Sequence, residues 1–169
     1  PEVTSVVSVY TELTGKPELP PLWALGFHQC KWSYYPESNV REITSKFREL
    51  QIPCDAIYLD IDYMDGFRCF TWDNEKFPNP TKMISDLREE GFKTIAIIDP
   101  GIKVDPDYYV YQEAMENDYF CKRADGPYMK GKVWPGECYF PDYTNPKVRS
   151  WWADLFKGLI ADNGLAGIW

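Results

Sequence analysis

The fold of this chain is decided by the stretch Ala56-Ile57-Tyr58-Leu59-Asp60-Ile61-Asp62, an apolar run that ends on two carboxylates. Its first four residues favour a strand and do not alternate with polar residues, which is typical of a parallel strand buried on both faces. Ligands of parallel sheets bind at the carboxyl ends of the strands, so Asp60 and Asp62 are candidates for holding a substrate. They could also simply end the strand and begin a turn toward Gly66. Position alone favours neither interpretation.

Apolar runs on both sides of this stretch predict three more strands. Residues 23–28 precede it, residues 93–100 follow it and again reach a carboxylate, and residues 167–169 begin a fourth strand. Elsewhere the apolar residues recur at helical spacing, which predicts helices in the remaining segments. These helices cover residues 2–13, 38–50, 81–90, 107–117 and 145–163.

One stretch, residues 119–143, interrupts this alternation of strands and helices. It contains several breakers of regular structure, among them Gly126-Pro127, Gly131, Trp134-Pro135-Gly136 and Pro141. Loops of this length inside a compact domain usually carry function. We therefore predict a long functional loop or a small β insertion after the third strand.

The order of the predicted elements defines an α/β fold with a parallel sheet. A complete (β/α)8 TIM barrel needs ~250 residues, so four strands predict roughly its first half. We therefore predict one partial (β/α)8 catalytic domain over residues 1–169. A doubly wound open sheet is the alternative, but no Gly-rich phosphate loop follows any strand.

Both termini are expected to be cuts through a longer protein. The chain begins at Pro1 and stops at Trp169 inside an apolar run, whereas natural termini usually lie in exposed polar segments. Half of a barrel leaves two strand edges unpaired. We expect such a fragment to be marginally stable by itself or to self-associate through its open sheet edges.

Charge and composition exclude several classes of function. The net charge of −8 argues against nucleic acid and anionic membranes as partners, and no apolar run approaches the ~20 residues of a membrane span. Five scattered cysteines and the single His28 argue against a zinc site and against a disulfide scaffold. We expect no metal, no cofactor, no nucleic acid, no membrane and a cytoplasmic location.

The predicted strand ends combine carboxylates with tryptophans, which suits a sugar. Carboxylates accept hydrogen bonds from vicinal hydroxyls, while flat aromatic rings cover the C–H face of a pyranose. For any single tryptophan, packing in the core is the commoner role. His28 lies inside a predicted strand and is interpreted as an interior residue rather than a base. The candidate sugar ligands are Asp60, Asp62, Asp99, Trp32, Trp134 and Trp169.

Several motifs in the same order resemble glycoside hydrolase family 31, the α-glucosidase and α-xylosidase family, over essentially the whole chain. They are LPPLWALGF at 19–27, QCKW at 29–32, DIDYMD at 60–65, IDPGI at 98–102, GKVWPG at 131–136 and GIW at 167–169. The resemblance implies a (β/α)8 catalytic barrel that cleaves α-glycosides with retention, using one Asp as nucleophile and another as acid and base.

The resemblance also assigns roles by motif position. Asp60 matches the family's ligand for the distal hydroxyls of the sugar in the −1 subsite. Trp169 matches the tryptophan that precedes the family nucleophile in a Trp-x-Asp-Met-Asn-Glu type motif. The remaining matches to the pocket lining are Ile61, Ile97, Asp99 and Trp134, with Trp32 at a position where the family often has another aromatic residue.

Three functions follow as hypotheses. The first is a fragment of a retaining α-glycoside hydrolase, most readily an α-glucosidase that releases terminal α-linked glucose from oligosaccharides. In this hypothesis no catalytic residue lies within the chain, because the nucleophile and the acid/base fall beyond Trp169, so the chain alone should be inactive. The second is a glycosyltransferase that holds Mn²⁺ or Mg²⁺ with Asp60 and Asp62. The third is a sugar-binding module without chemistry.

Overall fold

A computed structural model describes residues 2–169 of the chain. The strands are β1 (His28–Gln29), β2 (Ala56–Leu59), β3 (Lys93–Ala96), β4 (Ile102–Lys103), β5 (Lys130–Val133), β6 (Gly136–Tyr139) and β7 (Gly167–Ile168). The α-helices are α1 (Val3–Thr14), α2 (Glu37–Glu49), α3 (Pro80–Glu89), α4 (Tyr109–Glu116) and α5 (Pro146–Lys157). Three short 3₁₀ turns cover Leu22–Leu25, Ile61–Tyr63 and Asp65–Phe67, and a π-helical turn, Gly158–Asp162, extends α5. Among the residues described, no helix is both long enough and apolar enough to cross a bilayer.

The main sheet has four parallel strands in the order β1-β2-β3-β7. Its strands follow one another in space as they do along the chain, and helices α2, α3 and α5 lie in the crossovers. A doubly wound sheet would reverse its strand order at a switch point, whereas a (β/α)8 barrel does not. The predicted first half of a TIM barrel is therefore confirmed, and the doubly wound alternative is wrong.

The hydrophobic core lies between this sheet and its helices. On β2, Ile57 and Leu59 are fully buried against apolar residues of α2 and α3, and Ala96 of β3 joins the same cluster. The helices present one apolar stripe each, as their sequence spacing predicts. Their buried contributions include Val40, Met83, Ile84, Leu87 and Val148. One face of the sheet is thus covered by the helices, and the opposite face is not.

The strand predicted over residues 23–28 is largely wrong. Leu22–Leu25 forms a 3₁₀ turn, and the strand itself comprises only His28–Gln29. The apolar residues of this segment lie mostly in water, since Leu22 is 87 % exposed and Leu25 65 % exposed. Hydrogen bonds to the neighbouring strand segment begin only at Phe27, whose carbonyl accepts from the Asp55 N–H at 2.8 Å. An apolar run by itself does not distinguish a buried strand from an exposed turn.

Helix α1 forms where the spacing predicts it, but none of its residues is buried. Its apolar residues line an open groove of about 430 Å³ that includes Val6, Val9, Tyr10 and Leu13. An isolated helix of this length is marginal in water, so packing would be needed to stabilise it. Within residues 2–169 the helix does not contribute to the core.

Strands β5 and β6 lie in the predicted insertion and join β4, which precedes it, in a second, antiparallel sheet of order β4-β6-β5. Strands β5 and β6 form a hairpin whose turn is Trp134-Pro135, with Gly136 at φ +100°, a conformation that favours glycine. Strand β4, just after the third strand of the main sheet, pairs Ile102 with Tyr139 of β6. This pairing ties the hairpin to the carboxyl end of β3.

The close approach of two chain segments at Gly26 yields a stability prediction. A Cβ atom at Gly26 would overlap the Asp55 carboxylate, which accepts the Phe27 N–H at 3.2 Å. We expect Gly26→Ala to lower the free energy of unfolding by about 1–3 kcal/mol, because the carboxylate must move. Gly158→Ala is the matched control, since that position is helical and has no neighbour within 4 Å. Urea unfolding monitored by circular dichroism measures the free energy of unfolding of both variants. Equal losses in Gly26→Ala and Gly158→Ala would contradict the overlap.

Candidate active site

The pairing register determines which side chains share the face of the main sheet that the helices leave open. Tyr58 lies opposite Ile95, and Ile95 lies opposite Gly167. Alternate residues of a strand point to the same face, so Ile97 and Trp169 belong with them. The rings of Tyr58 and Trp169 are in edge contact, with centroids 5.8 Å apart. The carboxyl ends of the strands therefore form one edge, which we call the candidate site.

Asp60 ends β2 and begins the next turn. Its Oδ1 accepts the Ile61 N–H at 2.7 Å, which caps the 3₁₀ turn Ile61–Tyr63. Partial burial and, to a lesser extent, the negative charge of Asp60 raise the pKa of the Cys30 thiol, which follows β1. Within residues 2–169 the carboxylate makes no other hydrogen bond. Asp60 is thus held by one oxygen and keeps the other for a ligand.

Asp62 serves a different partner. It is 8 % exposed, and its Oδ2 accepts the Nε1–H of Trp32 at 2.9 Å. Asp60 and Asp62 therefore accept from different partners, one from a backbone N–H at the start of a turn and one from an indole N–H. Over residues 2–169, no three carboxylate, thiol or imidazole groups cluster in a way that could hold a metal ion.

Two tryptophans from separate loops meet at this edge. Trp32 follows β1, and Trp134 lies at the tip of the β5–β6 hairpin. Their ring centroids are 6.4 Å apart with an interplanar angle of 33°. Both rings are exposed, Trp32 at 71 % and Trp134 at 62 %. Packing in the hydrophobic core therefore does not explain these two tryptophans, and their apolar faces are available to a ligand.

The remaining predicted site residues lie at the same edge, but they are positioned through their backbones. Ile61 is buried, and Ile97 and Asp99 are half-buried. The Ile97 carbonyl accepts the Tyr63 hydroxyl at 2.8 Å, and the Asp99 carbonyl accepts the Cys69 thiol at 2.7 Å. These bonds fix the segment that follows β3.

Sequence reasoning missed the hydrogen bonds of His28 and Tyr58 that support the site. His28 Nε2 lies 3.1 Å from the Trp23 carbonyl, which can only accept, so this nitrogen carries the proton. Its Nδ1 then accepts the Tyr58 hydroxyl at 3.0 Å, and Tyr58 contacts Trp169. His28 is thus a satisfied interior residue, as its position in the sequence suggested. The sequence signal for Tyr58 was its position two residues before Asp60, which places both on one face of an extended chain.

Comparison with known proteins follows from this geometry. A sequential parallel half-barrel with carboxylates and exposed tryptophans at its carboxyl edge defines part of a TIM-barrel domain suited to sugars. The family model described as "Glycosyl hydrolases family 31 TIM-barrel domain" matches residues 17–169. The chain belongs to this family, and the resemblance found in its motifs is confirmed.

Individual relatives agree with the family. The chain is 50 % identical to "Alpha-glucosidase 2" of Bacillus thermoamyloliquefaciens over 100 % of its own length and 21 % of that protein. It is 45 % identical to "Neutral alpha-glucosidase AB" of Sus scrofa, covering 93 % of this chain and 17 % of that one. A solved family 31 α-glucosidase from Bacteroides thetaiotaomicron superposes with a TM-score of 0.88 at 49 % identity, over 98 % of this chain and 28 % of that one. The chain therefore spans about a fifth of the length of the curated relatives it matches.

The buried thiol beside Asp99 yields a prediction for alkaline pH. Burial raises the pKa of Cys69 from 9.0 to about 12. Between these values the unfolded chain loses this proton and the folded chain keeps it, so the free energy of unfolding falls as pH rises above 9.0. Cys69→Ala removes this contribution, and the stability gap between wild type and variant should narrow by about 2 kcal/mol from pH ~8 to pH ~10.5.

Urea unfolding at the two pH values measures this gap. Cys30→Ala is the control, because Cys30 is exposed and should show a smaller change. A gap for Cys69→Ala that is the same at both pH values would mean that the thiol ionises as easily in the folded chain as in the unfolded one.

Proposed function

We propose that the whole protein containing this chain is a retaining α-glycoside hydrolase, an α-glucosidase that releases terminal α-linked glucose from oligosaccharides. The observation that supports the proposal is that a half-free carboxylate, Asp60, and the exposed, neighbouring rings of Trp32 and Trp134 follow the carboxyl ends of the strands of a family 31 barrel. The proteins that the chain matches at 45–50 % identity are named α-glucosidases, which supports this substrate class.

In this proposal the chain supplies the binding wall of the −1 subsite. The free oxygen of Asp60 accepts hydrogen bonds from sugar hydroxyls, and the tryptophan rings cover apolar C–H faces. Trp169 contacts Tyr58, which supports a place for it in the lining. Ile61, Ile97 and Asp99 complete the lining.

Retaining hydrolysis also needs two carboxyl groups about 5–5.5 Å apart, one as nucleophile and one as acid and base. We place both in the part of the protein that the relatives have and this chain does not span. The chain alone then binds without cleaving, and binding is weak because several walls of the pocket come from elsewhere.

The glycosyltransferase hypothesis needs Asp60 and Asp62 to share one cation. Asp62 instead accepts a hydrogen bond from Trp32, and Asp60 caps a turn. The geometry thus favours a hydrolase over a metal-dependent transferase. A sugar-binding module without chemistry would share the same wall, and only a measurement of turnover separates it from the hydrolase.

Hydrolysis of a chromogenic α-glucoside tests the proposal. The whole protein should release the chromophore, whereas residues 1–169 alone should not. In the whole protein, Asp60→Ala should lower kcat/KM by about a hundredfold or more, because hydrogen bonds to a charged acceptor are lost in the transition state. Asp162→Ala at the exposed end of the π-helical turn is the matched control and should leave kcat/KM unchanged. Ordinary enzyme turnover by residues 1–169 alone would show that the reacting carboxylates lie within this chain.

We also propose that the isolated chain self-associates through its open sheet edges, β1 and β7, which each have a neighbour on one side only. Sedimentation velocity over about a hundredfold range of concentration should show dimers at the upper end, as mass action requires. Val6→Lys tests whether the exposed apolar face of α1 causes the association instead, since it places a charge on that face. Dimers should persist in this variant, and their loss would assign the association to α1 instead.

A further inference from the structure

An exposed tryptophan of the candidate site is held by a buried carboxylate. Trp32 is 71 % exposed, yet its Nε1–H donates to Asp62, which is 8 % exposed, at 2.9 Å. A side chain that stays in water gains little orientation from packing, so a hydrogen bond must restrict its ring. Hydrogen bonds that involve a charged group are about twice as strong as neutral ones. The orientation of Trp32 is therefore set from inside the protein.

Asp62 itself has little freedom to move. It lies in the middle of the 3₁₀ turn Ile61–Tyr63, whose other members are 3 % and 1 % exposed. The turn is capped at its start by Asp60, and its last residue donates a hydrogen bond to the Ile97 carbonyl at 2.8 Å. A displacement of the turn that carried Asp62 into water would also expose the buried side chains of Ile61 and Tyr63. The turn thus provides a rigid base for the hydrogen bond to Trp32.

No other donor competes for Asp62 within residues 2–169. The pKa of the Lys76 ammonium is raised by its hydrogen bond to Asp73 and, to a lesser extent, by the charge of Asp62. Lys76 Nζ pairs with Asp73 at 3.0 Å and lies 5.1 Å from the centre of the Tyr35 ring. The buried carboxylate of Asp62 therefore accepts its side-chain hydrogen bond from the Trp32 ring alone among the residues described.

We infer that Asp62 is a positioning residue: it fixes the plane of Trp32 against Trp134 and so pre-organises the aromatic wall that receives the sugar. The inference rests on the proposed function and adds a residue that acts on substrate through another side chain. Aromatic rings that are already ordered lose less conformational entropy when a ligand binds. The hydrogen bond from Trp32 to Asp62 therefore strengthens substrate binding rather than accelerating bond cleavage. Removing Asp62 should therefore raise KM and leave kcat nearly unchanged.

The indole N–H spectrum of the isolated chain tests the positioning without any turnover. Trp32→Phe identifies the Trp32 resonance in a ¹H–¹⁵N correlation spectrum, because it removes that one indole N–H. Asp62→Ala should shift this resonance and broaden it, as the ring is released. Asp62→Asn keeps an acceptor oxygen and should preserve a sharp resonance. Asp162→Ala, at an exposed position, is the matched control and should leave it unchanged. An unmoved, sharp resonance in Asp62→Ala would overturn the inference.

Kinetics of the whole protein on an α-linked glucose disaccharide test the consequence for substrate. Asp62→Ala should raise KM about tenfold with less than a threefold change in kcat, and Asp62→Asn should recover most of the loss. In a Trp32→Ala background, Asp62→Ala should have almost no further effect, because its only route to the substrate is gone. An equal effect of Asp62→Ala in both backgrounds would show that Asp62 acts otherwise and would overturn the inference.

These outcomes are separable from those for the proposed function. A whole protein that does not hydrolyse α-glucosides contradicts the function, and the indole spectrum of residues 1–169 still decides the positioning role. If Asp62→Ala does not fold, Asp62→Asn supplies the comparison, because it keeps the shape of the buried carboxylate. A folded Asp62→Asn variant whose Trp32 indole N–H resonance is broadened would also contradict the inference.

Discussion

The pairing of β2 with β3 is the interaction on which the rest of the structure depends. Its register places Ile57 and Leu59 toward the helices and Tyr58 toward the opposite face. A slip of one residue would exchange these faces, burying the Tyr58 hydroxyl among aliphatic side chains and exposing the core. The same register brings the ends of the two strands level, so that Asp60 and Asp99 follow at the same edge.

The candidate site is assembled by loops that this edge supports. Backbone carbonyls after β3 are tied down by the Tyr63 hydroxyl and the Cys69 thiol, which leaves the side chains of that segment free for a ligand. The β5–β6 hairpin is anchored by β4 and carries Trp134 back across to Trp32. The site therefore combines a rigid sheet with two loops, one after β1 and one after β3.

Much of the fold could be predicted from the sequence, because buried strands and amphipathic helices have local signatures. The strand at residues 56–59 and the helix stripes around Val40 and Leu87 are such cases. The turn Leu22–Leu25 could not be predicted, since its apolar composition is that of a strand while its side chains remain in water. The open apolar face of α1 also has the composition of a buried one. Composition indicates which side chains could be buried, and only the tertiary packing shows which of them are buried.

For the site, the sequence by itself determined which residue types stand at the strand ends: Asp60, Asp99 and the tryptophans all follow from local pattern and motif. The motifs also determined the family, because several long stretches match in order. Only the tertiary structure decided that Asp60 and Asp62 act separately, one as a cap and one as the acceptor for Trp32. Residues 32 and 62 are far apart in sequence, and a hydrogen bond between them exists only because parallel pairing brings the two strand ends together. Side-chain partners across a sheet are set by register and loop geometry, which no local pattern encodes.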